Sequence, residues 1–264
     1  MEDRLSRRVL LGAVGGIVLA ACGRSAVRRQ AAPTPQPSGS PPTSPSTSST
    51  RSAAASPATA APRRAQVVRT GTSGRPEVAL TFHGSGDTAL AEALLKEAEQ
   101  ARAAVTVFAV GTWLAANPQM AQRILRGGHA LGNHTYTHPT LHRLPAAQID
   151  REVSRCADLL RRLTGSVGAA FRPSGGPTIN APIVAAATLA GYRTVVGYDV
   201  DPSDNLDPGA AAVASRVLRD VRAGSIVSLH LGHPGTVEAL PKILDALSTR
   251  GLRPVTVPRL LAPA

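Results

Sequence analysis

Two textures divide the chain. Residues 24–66 are Ala, Pro, Ser and Thr with scattered Arg, and no hydrophobic period runs through them. From about Val67, short apolar runs alternate with amphipathic stretches. Glu77-Val-Ala-Leu-Thr-Phe82 reads as a buried strand. Thr88 to Ala101 places Leu90, Leu94, Leu95 and Ala98 on one helical face. Ala104 to Val110 is a second buried strand. A helix runs from Pro118 to Arg126, with Pro where its missing N–H is harmless. Gly128 to Leu131 is a short strand, and Ala146 to Leu163 is a long amphipathic helix. Ala169–Phe171, Thr194–Val196, Ser225–Leu229 and Pro254–Val257 are further strands, with helices at 181–190, 210–222 and 236–250 between them.

This alternation predicts an α/β fold of parallel strands and crossover helices. About seven repeats in the segment 71–264 predict a closed or nearly closed β/α barrel, whose site lies at the C-terminal ends of its strands. The unusual residues fall there. His83-Gly84-Ser85-Gly86-Asp87 follows Phe82, and Asn133-His134-Thr135-Tyr136-Thr137-His138 follows the short strand. Arg172-Pro173-Ser174-Gly175 follows Phe171, Asp199, Asp201 and Asp204 follow the 194–198 strand, and His230 follows Leu229.

Composition changes the picture mainly at the N-terminus. The net charge is +12, which invites a polyanionic partner. Residues 1–70, however, hold ten Arg against two acids, a net of +8, which leaves +4 for the rest. With one Trp, three Tyr and three Phe, the chain also lacks stacking platforms for single strands. No nucleic-acid partner is expected. Residues 1–22 read as an export signal. Ser6-Arg7-Arg8-Val9-Leu10-Leu11 resembles a twin-arginine signal, which passes proteins already folded. Leu19-Ala20-Ala21-Cys22 resembles a bacterial lipobox, in which Cys22 is lipidated. Residues 23–70 are then a disordered tether, and 71–264 the folded domain. The expectation is an exported lipoprotein held at the membrane, facing the cell wall or periplasm. Cys156, among Val153, Leu159, Leu160 and Leu163, reads as a small buried hydrophobe.

His134 and His138 are four apart and, on a helical turn, face the same way to share a divalent metal. The ordered set of strand-end motifs resembles the polysaccharide deacetylase family, the NodB-homology or carbohydrate esterase family 4 domain. Gly132-Asn-His-Thr-Tyr-Thr-His-Pro139 is similar to the family's H-[ST]-x-x-H metal motif. Ala79-Leu-Thr-Phe82 matches the lead-in to T-F-D-D-G, and Phe171-Arg-Pro173 the start of R-x-P-Y. Asp201-Pro-Ser-Asp204-Asn205 looks like D-x-x-D-W, and Ser225-Ile-Val-Ser-Leu-His230 like the closing L-x-L-x-H-type motif. The resemblance spans roughly residues 75–260.

It implies a distorted (β/α)7 barrel and metal-dependent removal of acetyl groups from an N-acetylated glycan, such as peptidoglycan. It implies His230 as the general acid, Asp204 as the carboxylate holding it, and Arg172 as the arginine orienting a catalytic carboxylate. Leu229 becomes an apolar wall near the acetyl methyl, and Gly175 a backbone donor to the oxyanion. Three positions depart from the pattern. His83 and Gly84 stand where the family has its two aspartates. Two arrangements follow. Either the Gly-Ser-Gly loop brings Asp87 to the metal beside His134 and His138, with His83 as base or water orienter, or His83 is the third ligand and Asp87 the base. Both donor sets suit zinc. Ser174 and Gly175 stand in place of Pro and Tyr, and Asn205 in place of Trp. A non-catalytic, glycan-binding barrel is the competing reading. His129 reads as packing or capping beside the motif strand, and His142 as a surface residue. His233, three residues beyond His230, has a substrate contact as its functional alternative.

Overall fold

The computed structural model describes residues 63–72 and 74–263. The expected signal segment, Cys22 and most of the tether lie outside the described residues. Among the described residues no helix is long and apolar enough to cross a membrane.

The order is β1 (Gln66–Val68), β2 (Glu77–Gly84), α1 (Thr88–Gln100), β3 (Thr106–Ala109), α2 (Gly111–Ala116), α3 (Gln119–Arg126) and β4 (Ala130–Asn133). It continues with α4 (Ala146–Thr164), α5 (Ala181–Leu189), β5 (Thr194–Val196), α6 (Ala210–Asp220), β6 (Ile226–His230), α7 (Pro234–Thr249), β7 (Arg253–Pro254) and α8 (Val257–Leu260). Two 3-10 turns, Leu141–Arg143 and Asp204–Leu206, interrupt the loops.

Strands β4, β3, β2 and β6 lie side by side in that order, all parallel, and β7 adds to β2. Single parallel bridges carry the pairing onward, from Asn133 to Phe171, from Phe171 to Val195, and from Val200 back to Val227 of β6. This is the α/β barrel of parallel strands that the alternation predicts, of the distorted (β/α)7 type that the resemblance implies. The expected strand at 169–171 shrinks to one bridged residue, Phe171, because Gly168 turns at φ +95° before it and Pro173 follows. Strand β1 pairs with β5, and Ala65 is buried, so the folded part begins inside the stretch read as tether. The short helices α2 and α8 carry too little periodicity to be seen in the sequence.

Period-two alternation divides each strand between two cores. On β2, Val78, Leu80 and Phe82 face out and pack with Leu94 and Leu95 of α1 and Leu240 of α7. Ala79 faces in, with Phe108, Ala170, Val196 and Ile226, and α8 adds Val257 and Leu260. The same alternation turns Thr81, His83, Ser228 and His230 inward. The inner face is thus apolar at the N-terminal end of the strands and polar at the C-terminal end.

Candidate active site

Four histidine rings meet at the C-terminal end of the barrel. His83 and His230 are direct neighbours in the β2–β6 register, and their ring centroids are 4.2 Å apart. His83 is also 4.2 Å from the His134 ring, and His134 is 4.9 Å from His138. Ligand nitrogens of His83, His134 and His138 all lie within 4.8 Å of one another.

Each ring is aimed by a partner. His134 Nδ1 sits 2.9 Å from the Arg172 carbonyl oxygen, which makes Nδ1 the donor and turns the Nε2 lone pair towards His83. That Nε2 is 3.1 Å from His83 Nδ1. His83 Nε2 is 3.2 Å from Ser228 Oγ. Burial, reinforced by the neighbouring His134, His230 and Arg172, holds His83 well below the usual imidazole range. Burial, then His138, does the same to His134, and burial, then His230, lowers His138. All three rings are therefore neutral at pH 7, the form that ligates a metal. Three neutral imidazoles converging on one point, with a ring nitrogen held by a carbonyl behind them, fit a borderline divalent ion such as zinc.

The His134–His138 segment is not the helical turn expected from the spacing. Thr135 and His138 are left-handed, at φ +68° and +61°. The loop is shaped from outside. The Glu152 carboxylate on α4 accepts from Tyr136 N at 2.9 Å, Thr137 N at 2.8 Å and Thr137 Oγ1 at 2.8 Å. Asn133 Oδ1 accepts from Thr135 N at 2.8 Å, while its amide donates to Val153 O and Tyr192 Oη. The first amides of α2, Gly111 N and Thr112 N, donate to Thr135 O and Tyr136 O. A Cβ on Gly111 would stand 2.5 Å from the Tyr136 ring, so this approach requires glycine. No sequence signal marks Glu152 for this task.

Asp87 does not join the group, which corrects the first of the two arrangements. Its side chain accepts from Ala89 N at 2.7 Å and caps α1. The cap leaves it exposed, so the base role of the second arrangement also has no geometry behind it. His83 is the residue brought to His134 and His138. Gly84 is excluded for a different reason. A Cβ there would point at Val107 and Ala109 of β3, at 2.8 and 2.9 Å, away from the rings.

Behind His230, the arrangement matches the resemblance. His230 Nδ1 lies 2.8 Å from Asp204 Oδ1, and Asp204 Oδ2 accepts from His230 N at 2.8 Å and Thr236 Oγ1 at 2.6 Å. Asp204 is buried, so its charge is satisfied entirely by these donors. A buried carboxylate on Nδ1 fixes the ring and presents Nε2.

Arg172 departs from its expected task. It is fully buried, donates to Val196 O, Thr81 Oγ1 and Gly197 O, and stacks 4.4 Å over Phe108. Burial pushes it down to about 9, against the opposing pull of Tyr198 and Asp201, so it stays cationic at pH 7. Among the described residues it orients no carboxylate, and position 83 carries an imidazole instead. Leu229 is also not a site residue. It is fully buried, pairs with Phe82 and faces the outer core. The closing motif's residue two before His230 is Ser228, and that side chain faces the histidines. Alternation alone could have found it. Gly175 lies against the metal-motif loop at φ +76°, and a Cβ there would meet Thr140 Cα at 2.5 Å. Asn205 is exposed, and Trp113 donates to Gly86 O at 2.9 Å, steadying the loop after His83. His129 is buried, where Val105 N donates to its Nδ1.

A barrel with its polar residues at the strand ends, a histidine cluster and a buried His–Asp pair define the class. Residues 70–195 match the polysaccharide deacetylase family. A peptidoglycan-N-acetylglucosamine deacetylase of Bacillus cereus is 32% identical over 188 residues, covering 70% of this chain and 87% of that protein. A chitooligosaccharide deacetylase of a Bradyrhizobium species is 30% identical, covering 71% and 92%. The chain belongs to the polysaccharide deacetylase family, and with it to the hydrolases that remove acetyl groups from glycans. Among solved structures, a peptidoglycan N-acetylglucosamine deacetylase with a bound N-oxidanyl-benzamide superposes with a TM-score of 0.69, at 29% identity, covering 75% of this chain and 94% of that one. A mutant of a carbohydrate esterase family 4 pseudoenzyme, with restored enzymatic activity, gives 0.70 at 25% identity, covering 75% and 71%.

Proposed function

We propose that this protein is a metal-dependent deacetylase of N-acetylated cell-envelope glycan, with peptidoglycan as the substrate class. The observation that carries the reading is the convergence of His83, His134 and His138 beside the His230–Asp204 pair. His83, His134 and His138 would hold a divalent ion, zinc by donor type, which would supply Lewis-acid chemistry for the acetyl carbonyl and the attacking water. His230 is the one ring of the four left free for proton transfer. It takes the proton from the attacking water and delivers it to the leaving amine. Asp204 positions this ring through Nδ1 and leaves Nε2 facing the site. Gly175 offers its amide to the oxyanion from a turn in which a side chain has no room. Arg172 keeps a positive charge beneath the site, which favours the developing oxyanion. Ser228 takes the place of Leu229 beside His83.

Residues 1–22 support placement of the enzyme outside the cytoplasm, lipidated at Cys22, next to the polymer it acts on. The charge excess of the tether belongs with that placement and not with nucleic acid.

One observation favours a second reading, a glycan-binding barrel without turnover. No carboxylate meets Arg172 among the described residues, so the base of the family's pattern has no counterpart. Acetate release separates the two. The metal-loaded protein is expected to free acetate from N-acetylglucosamine oligomers or peptidoglycan, and His230→Ala to abolish it. Glycan binding by the loaded wild type without acetate would favour the second reading.

A further inference from the structure

The His230–Asp204 pair has a twin. Asp204 and Asp207 bracket one 3-10 turn, and His230, the last residue of β6, and His233, the N-cap of α7, stand three residues apart opposite it. Each histidine meets its carboxylate at 2.8 Å through Nδ1. In the inner pair Asp204 is fully buried and the His230 side chain is 20% exposed. The outer pair is at the rim, where the His233 side chain is 26% exposed and Asp207 is 66% exposed. The two histidine rings are edge to face, 5.5 Å between centroids. A second dyad thus sits beside the first, with the more exposed carboxylate.

Three observations speak against a purely structural role. His233 occupies the N-cap of α7, yet its ring makes no capping bond and turns to Asp207 instead. Asp207 adopts φ +49° and Ser203 φ +53°, so the turn that aims both aspartates is held in a conformation L-residues rarely take. Beside the dyad lies a pocket of about 320 Å³ lined by Asp207, Gly209, Pro234 and Gly235, where the two glycines leave the space unfilled.

We propose that His233, oriented by Asp207, is a sugar-contacting residue that holds the pyranose next to the one being deacetylated. This rests on the deacetylase reading and adds a subsite to it. With Nδ1 donating to Asp207, the ring leaves Nε2 without a protein partner among the described residues. Nε2 and the exposed carboxylate together present an acceptor or donor edge and a charged acceptor. That combination suits the hydroxyls of a neutral sugar. An anionic group would meet the Asp207 charge. Pro234 and the bare glycines offer the flat surface that a pyranose ring covers.

The test measures binding of N-acetylglucosamine oligomers, from monosaccharide to tetramer, to the full-length, zinc-loaded protein by calorimetry, with acetate release followed separately. Wild type is expected to gain affinity with length. His233→Ala is expected to lose roughly 10-fold on the tetramer, the size of one charge-assisted hydrogen bond. His233→Asn keeps a donor near Nδ1 for Asp207 but has no Nε2, and is expected to bind as weakly as Ala. His233→Gln reaches further and is expected to recover part of the loss. Wild-type length dependence in the Ala variant, or full rescue by Asn, would overturn the subsite. If wild type binds the tetramer and frees no acetate, deacetylation fails while the variants still decide the subsite. If acetate is freed and His233→Ala keeps the wild-type length dependence, the subsite fails and deacetylation stands. If no oligomer binds, both fall.

Discussion

At the scale of single residues, the site turns on which side chain near the end of β2 reaches His134 and His138. His83 does so because the strand alternates, placing it inward beside His230. Asp87 does not, because the first turn of α1 needs an acceptor for its free amides and Asp87 supplies it. The two variants should therefore behave oppositely. Asp87→Ala is expected to cost about 1 kcal/mol, a fall in Tm of roughly 2–4 °C, and to leave zinc stoichiometry unchanged. His83→Ala is expected to lose stoichiometric zinc. A reversal of those results in a zinc titration would move the ligand assignment to Asp87. Ser228 acts one step behind, at 3.2 Å from His83 Nε2. Ser228→Ala is expected to weaken zinc binding by about 10-fold or more, the usual cost of losing an outer-shell partner. The spacing of His134 and His138 and the strand-end positions of Asp204 and His230 were legible in the sequence, while the pairing of the last two came from the family resemblance. It left His83 and Asp87 as alternatives, because glycines in a loop specify no direction. It misplaced Leu229, because a motif match fixes position along the chain but not which face a side chain takes.

At the scale of elements, the metal-motif loop is rigid through its neighbours and not through its own secondary structure. A four-residue spacing reads as a helical turn, yet left-handed residues at 135 and 138 produce the same convergence. The force holding them is the Glu152 carboxylate with its three donors, supported by the α2 amides. Glu152→Ala leaves two backbone amides without their charged acceptor and is expected to cost about 1–3 kcal/mol. It should also lower zinc affinity while the circular dichroism spectrum stays that of the wild type. Unchanged zinc affinity would show that the loop holds its shape alone. Restoring an aspartate at position 84 is not expected to add a ligand. A side chain there collides with β3, so Gly84→Asp should destabilise the fold without tightening metal binding.

At the scale of the whole molecule, the alternation of strands and helices made the parallel barrel legible. The weakest strands were legible only in part. Phe171 pairs through single bridges, and β1 is three residues inside a stretch whose composition reads as tether. Tertiary pairing with β5, not local propensity, recruits β1. The opposite end of the barrel is tied by Glu77, which is buried under Arg75, Arg253 and Arg259. Burial alone would raise its pKa, but the hydrogen bonds from Arg75, Arg253 and Arg259 outweigh it and hold the carboxyl at about 2, below its ordinary 4.5. Because the folded value is the lower one, this stabilisation is complete above pH 4.5 and is lost as pH falls towards 2. Thermal melts between pH 5 and pH 2 should therefore fall more steeply in wild type than in Glu77→Gln. Parallel curves would show that Glu77 is not the acid-sensitive tie.

The central claim is that an all-histidine site in this barrel still performs deacetylation. The direct measurement is acetate release from N-acetylglucosamine tetramer by the full-length protein, with zinc, after chelation, and in the His83→Ala and Asp87→Ala variants. The account predicts release that needs zinc, disappears in His83→Ala and survives in Asp87→Ala. No release from a protein that holds stoichiometric zinc, or loss of release in Asp87→Ala equal to that in His83→Ala, would contradict it.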